Sequence, residues 1–206
     1  MAENAHMATS IIELLIGVAV VLGHNVWHIL PNEVPILFVL ALASFCLRDG
    51  NWKRLGFTRP ASWRKTILWA LAIAVVRLAI GELFPDPATS PKGSEQIPGH
   101  PGTALAALAF IWIFAAFGEE IAYRAYLTRR AAEVTRSWWA AAVITSVLFG
   151  FGHSYKGPGG MIDSGIAGLL LASAYILSGK NLWVCVLAHG FIDTTGLVVF
   201  YFGWSS

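Results

Sequence analysis

Apolar residues in this chain come in long runs, divided by clusters of proline, glycine and charge. A helix that crosses a bilayer needs about 20 apolar residues. On that measure the pattern predicts seven segments, over 9–30, 34–48, 66–84, 103–128, 138–153, 161–178 and 181–203; the second and fifth are short. The breakers between them read "LPNEVP" (30–35), "FPDPATSPKGSEQIPGHPG" (84–102), "YKGPGG" (155–160) and "SGKN" (178–181), with a further turn over 129–137. Trp52, Trp63, Trp138, Trp139 and Trp204 fall near segment ends, where amphipathic rings anchor at a membrane interface. The expected fold is therefore all-α, a polytopic integral membrane bundle of about seven transmembrane helices. It comprises an N-terminal tail over 1–8 and a single membrane domain over 9–206.

Composition strengthens this reading. Of the 206 residues 56% are hydrophobic and 13% charged, whereas soluble domains are about 25% charged. The net charge is +2, with the basic residues scattered between apolar runs, which argues against a nucleic-acid partner. Cys46 and Cys185 both lie inside apolar runs and read as packed free thiols rather than a disulfide framework. No Lys or Arg precedes the apolar stretch from Ile11, so a cleaved signal peptide is not expected. Arg48, Lys53, Arg54, Arg59, Arg64, Lys65, Arg129, Arg130, Arg136 and Lys180 occupy one set of alternate loops, against Lys92 and Lys156 in the other. Basic loops stay in the cytoplasm. With seven spans the N-terminus is then inside and the C-terminus outside, in the cytoplasmic membrane if the source is prokaryotic.

The informative residues are polar ones inside apolar runs, where an Asp, Lys or Arg costs about 2.5–3.5 kcal/mol at the centre of a spanning helix. They are Glu13, His24, His28, Arg77, Glu82, Glu119, Glu120, Arg124, His153, Asp163, His189 and Asp193. In "GEEIAYRAY" Glu120 and Arg124 stand four apart, on one helix face in the favourable order. Glu119 is turned about 140° from Arg124, so it is left unpaired and suits a general base; the alternative is a structural ion cluster of all three. "LAHGFID" puts His189 and Asp193 on one face, and "FGFGH" ends in His153. Two chemistries fit this group: a metal held by His, His and carboxylate with an open water position, or metal-free activation of water by a Glu–His pair beside an oxyanion site. His24 and His28 in "HNVWH" read as a decoy, since no acid lies between them as in zinc-protease helices. Arg77 requires a partner, Glu13 or a carbonyl on another helix, because Glu82 points elsewhere. Asp163 reads as the cap of a helix starting at 164.

Taken in order, "EEIAYR" (119–124), "FGFGH" (149–153) and "HGFID" (189–193) resemble the EExxxR, FxxxH and HxxxN/D motifs of the CAAX protease and bacteriocin-processing (CPBP) family of intramembrane endopeptidases. The resemblance covers the motif-bearing core, 103–203. It implies a helical bundle with a polar cavity opening toward the cytosol. It also implies that Glu119 and His153 activate water and that His189 and Asp193 stabilise the oxyanion, with Glu120 and Arg124 structural beside the site. No cofactor is then expected; an older view of the family assigns zinc, which would fall to Glu119, His153 and His189. The implied partners are membrane lipid and a membrane-associated peptide or protein, of which a prenylated CAAX-type substrate is one case. Position 193 is Asp rather than Asn, so it either donates a proton to the oxyanion or orients His189. Competing readings are a non-catalytic membrane scaffold or immunity-type protein, and a proton-coupled transporter. A level site sets a geometric demand, because His153 lies about 22 Å along its helix from Trp138; that helix must start above the membrane surface or tilt.

Overall fold

The computed structural model describes residues 2–50, 55–81 and 96–204, with the side chains of 2–5 left aside. Glu82, Trp52, Lys53, Arg54 and Lys92 lie outside the described residues. All regular structure among the described residues is helical. The helices are α1 (Ala2–Asn25), α2 (Glu33–Ser44), α3 (Trp63–Gly81), α4 (Pro101–Phe110), α5 (Arg129–Thr135), α6 (Trp138–Phe151), α7 (Gly157–Leu177) and α8 (Leu182–Tyr201). A π-wound segment, Phe45–Asp49, extends α2, and two more, Ile111–Glu119 and Ile121–Thr128, fuse α4 to α5 into one rod over 101–135.

Among the described residues four helices are long and apolar enough to cross a membrane: His6–Asn25, Pro101–Thr135, Ser154–Leu177 and Leu182–Tyr201. The apolar α6 is shorter, at 14 residues. Large apolar side chains such as Leu15, Val39, Val75, Leu105, Val147 and Ile162 face outward, while alanines 116, 122, 131, 141, 172 and 188 fill the interior. This is the arrangement of an integral membrane protein, whose helices approach through small residues because lipid is as apolar as a leucine side chain. At Gly150 a Cβ would lie 2.6 Å from the Met161 carbonyl oxygen, so only glycine allows α6 and α7 to meet there.

The boundaries differ from the expected ones for local reasons. The first segment ends at Asn25 rather than 30, because the Ile29 and Leu30 amides fold back onto the Gly23 carbonyl at 2.9 and 3.3 Å and His28 takes φ 53°. The expected turn over 129–137 is helical to Thr135, since Arg129, Arg130 and Glu133 bond one another along the helix. The reversal waits for Arg136 at φ 56°, after which Ser137 caps α6 through the Ala140 amide. The sixth segment starts at Gly157, not 161, with Pro158 in its first turn. Asp163 is therefore inside α7 and caps nothing; it is the partner of Arg77 from α3.

Glu13, the other partner considered for Arg77, belongs to a different cluster. Arg130 donates to Glu13 (2.5 Å), Asp49 (2.9 Å), Glu133 (3.1 Å) and Ser44 (2.6 Å). Arg48 adds Glu13 (3.2 Å) and Ser10 (2.7 Å), and Arg129 reaches Asp49 at 3.3 Å. This network ties α1, the end of α2 and α5. At the same end the Leu182 amide donates to Gly56 (3.3 Å), Asn181 to Thr66 (3.1 Å), and Lys180 sits 4.5 Å over Trp138. The basic turns thus gather at one end of the bundle, several of their arginines in ion pairs. The opposite end holds the α1–α2 corner and residues 152–156, joined where Ser154 donates to the Asn25 carbonyl at 3.0 Å.

The Arg77–Asp163 pair leaves Arg77 Nε and Asp163 Oδ1 buried without hydrogen-bond partners among the described residues. Stripping one member of such a pair costs about 3–5 kcal/mol, while removing both is often close to neutral. Arg77→Leu alone is expected to lower the thermal unfolding midpoint in detergent, and Arg77→Leu with Asp163→Leu to restore most of it.

Candidate active site

The residues of the site sit on the rod, on α8 and just past the end of α6. The rod is π-wound on both sides of Glu120, not α-helical as the spacing assumed. Wide turns of this kind occur mostly as local departures, often at functional sites. Here the winding leaves the Tyr123 carbonyl to accept the Thr128 hydroxyl at 2.7 Å. The pair expected from the four-residue spacing nevertheless forms: Arg124 Nη1 donates to Glu120 Oε1 at 3.0 Å, with Glu120 0% and Arg124 2% exposed.

The same Glu120 oxygen lies 2.8 Å from His189 Nδ1. His189 Nε2 faces Asp193 Oδ2 at 3.4 Å, one turn along α8. A ring with a carboxylate oxygen at each nitrogen satisfies both only as the imidazolium. Asp193 thus faces the side of His189 opposite Glu120. Arg124 Nη2 donates to the Gly168 carbonyl on α7 at 3.1 Å, so the guanidinium joins the rod to α7. Gly168 also gives room to Phe149, whose ring a Cβ at that position would meet at 3.2 Å.

Glu119 lies beside this cluster. It has no ion pair among the described residues, and its Oε2 is buried without a hydrogen-bond partner. Its electrostatic neighbours are His189, Asp193, Glu120 and Arg124. His153 follows the end of α6; its Nδ1 is 2.9 Å from the Phe149 carbonyl, so it donates there and leaves Nε2 free to accept. His189 and Asp193 are also among the electrostatic neighbours of His153. Glu119 and His153 therefore share the His189–Asp193 pair as a common neighbour.

Phe149, the first letter of "FGFGH", is the residue that sequence reasoning passed over. Its ring lies 4.7 Å from the Arg124 guanidinium, 4.6 Å from the His153 ring and 6.2 Å from the His189 ring. It links the end of α6 to the rod and to α8. Trp112 is a second such residue. It donates to Thr194 at 3.1 Å and lies so close to Gly190 that a Cβ there would come within 2.6 Å of the indole. Phe149 is the F of the FxxxH spacing, four residues before His153, whereas nothing in the spacing of Trp112 marks it out from its apolar neighbours.

Among the described residues no three His, Cys, Asp or Glu side chains form a metal-ligand group. The zinc set Glu119, His153 and His189 does not fit this arrangement, because both nitrogens of His189 face carboxylates and neither offers a lone pair.

The fold and site together define a membrane protein that buries an acid–histidine cluster among its helices. Residues 101–195 match the family described as type II CAAX prenyl endopeptidase, Rce1-like. That segment, a little under half of the chain, is a CAAX-protease-family domain, and the family is one of peptidases. No curated protein and no solved structure matches the chain.

Replacing Arg124 by Met leaves Glu120 buried beside His189 alone and the Gly168 carbonyl without its donor. The expected result is a loss of folded, monodisperse protein on size-exclusion chromatography, as for loss of one partner of a buried pair, about 3–5 kcal/mol.

Proposed function

We propose that the protein is an intramembrane endopeptidase that hydrolyses a peptide bond of a membrane-associated substrate, with a prenylated CAAX-type peptide as one candidate. The observation that carries this reading is the buried, unpartnered Glu119 oxygen beside an imidazolium that Glu120 and Asp193 hold in place. Glu120 and Asp163 also keep a buried oxygen without a partner, but each is in a salt bridge; a binding scaffold has no need of an acid that lacks even that among the described residues.

In the proposed reaction Glu119 takes a proton from a water oriented by His153 Nε2. The water oxygen attacks the scissile carbonyl, and the developing oxyanion faces His189, which Asp193 and Glu120 orient. Glu119 then passes its proton to the leaving nitrogen as the C–N bond breaks. A general base of this kind contributes about 10²–10⁴-fold, and a preorganised cation at the oxyanion adds electrostatic stabilisation. The chemistry proposed needs no metal and no cofactor. Substrate and lipid are the partners proposed.

We further propose that the helices make seven spans in one membrane domain of the cytoplasmic membrane, with the basic end of the bundle inside. At about 1.5 Å per residue, α6 then carries His153 roughly 21 Å from the basic end. A cavity that opens to the cytosol would have to run most of that length.

Glu119→Gln keeps the shape of the side chain but cannot take a proton. It is expected to lower the rate of peptide cleavage by about 10²-fold or more with the unfolding midpoint unchanged, while wild-type cleavage persists in a chelator and tracks no bound zinc. Full activity in purified Glu119→Gln protein would end the proposal. For the orientation, a membrane-impermeant thiol reagent is expected to label Ala61→Cys only from the cytoplasmic face and His100→Cys only from the opposite one, in a background lacking Cys46 and Cys185.

A further inference from the structure

The α1–α2 corner contains an acid that the motif set does not include. Glu33 opens α2, a position where a carboxylate ordinarily faces water, yet it is 5% exposed. Its Oε2 lies 3.3 Å from His24 Nε2. The other nitrogen of His24 is 3.1 Å from the Leu30 carbonyl, the residue at the turn of the corner. His24 therefore bridges Glu33 and the Leu30 carbonyl, and the Glu33–His24 pair fastens the corner. His24, set aside on sequence grounds for want of an acid between it and His28, has its acid on the next helix.

The second oxygen of Glu33 lies toward Gly152. A Cβ at Gly152 would lie 3.1 Å from Glu33 Oε1 and 2.8 Å from the Tyr123 hydroxyl oxygen, so both groups fill the space beside the backbone one residue before His153. One residue after His153, Ser154 donates to the carbonyl of Asn25, the neighbour of His24. His153 is thus held between two residues that both lean on the same corner. Tyr123 completes the link: its ring stacks edge-on against Phe149 at 4.9 Å, and Glu33 and Glu119 are both among its electrostatic neighbours.

We propose that Glu33, paired with His24, is a positioning residue that braces residues 152–154 and so aims the His153 ring at the site. Glu33 acts through the Gly152 backbone and Tyr123, without touching the substrate. This rests on the endopeptidase reading for its kinetic consequence, but the bracing itself does not.

The test uses the full chain in detergent, with hydrogen exchange read by mass spectrometry alongside peptide-cleavage kinetics. Glu33→Gln is expected to speed amide exchange over 149–156 while leaving 182–195 as in the wild type. It is also expected to lower kcat by about 10²-fold, the scale of a misplacement of about 1 Å, with KM within twofold. His24→Arg, which places a cation beside Glu33, is expected to retain more activity than His24→Ala, and His28→Asn, on the exposed side of the same corner, to behave as wild type. Wild-type exchange over 149–156 in Glu33→Gln overturns the proposal, whatever the kinetics. Faster exchange with unchanged kcat overturns the aiming of His153. A wild-type protein that cleaves no peptide sinks the endopeptidase reading, and the exchange comparison then decides the bracing alone. Where Glu33→Gln does not accumulate folded, His24→Ala reports on the same link through the same exchange measurement.

Discussion

A charge carried into a membrane has to find its opposite, and Glu120 is where this structure meets that requirement for the site. One carboxylate oxygen takes a hydrogen bond from Arg124 and stands against His189, so a single buried acid ties the rod to α8. Arg124 carries the link on to the Gly168 carbonyl of α7, and the Phe149 ring of α6 lies over the guanidinium. Four rods converge on this contact. Because Glu120 is taken up twice, Glu119 is left over, and its position beside an imidazolium follows from the cluster around its neighbour.

The bundle manages its remaining charge at its ends. Arg48, Arg129 and Arg130 pair with Glu13, Asp49 and Glu133 at the basic end. Those three arginines and three acids balance one another in formal charge and cross-link α1, the end of α2 and α5. At the other end a smaller pair, His24 with Glu33, closes the corner against which the His153 segment rests. Between the two, contacts among small residues let helices approach closely enough for short polar reaches to succeed.

Some of the site was legible because its pairs are local. Glu120 with Arg124 and His189 with Asp193 are four residues apart, and that spacing alone puts each pair on one face. Their distances in the structure, 3.0 and 3.4 Å, follow the expectation even though the rod is π-wound around the first pair. The pairs that were misread are the long-range ones. Asp163 sits after "GPGGM", which looks like the start of a helix, and no local pattern announces that Arg77 lies across from it. Glu33 sits in "LPNEVP", the composition of an exposed turn, and nothing nearby in sequence tells that Gly152 will press against it. Segment ends were off where side-chain bonds, such as those of Glu133 with Arg129 and Arg130, carried a helix past an apparent breaker.

By itself the sequence determined that this chain is a helical membrane protein with a polar site, because apolar run length and the cost of intramembrane charge are properties of the chain and the solvent, independent of the fold. It also determined which acid of the pair is spoken for, because helical spacing is local. Only the tertiary structure decided that Glu120 also meets His189, that Arg77 belongs to Asp163, and that an acid in the first corner stands beside Gly152. Those contacts join residues tens of positions apart, and their existence depends on which helix faces pack together, which no local pattern encodes.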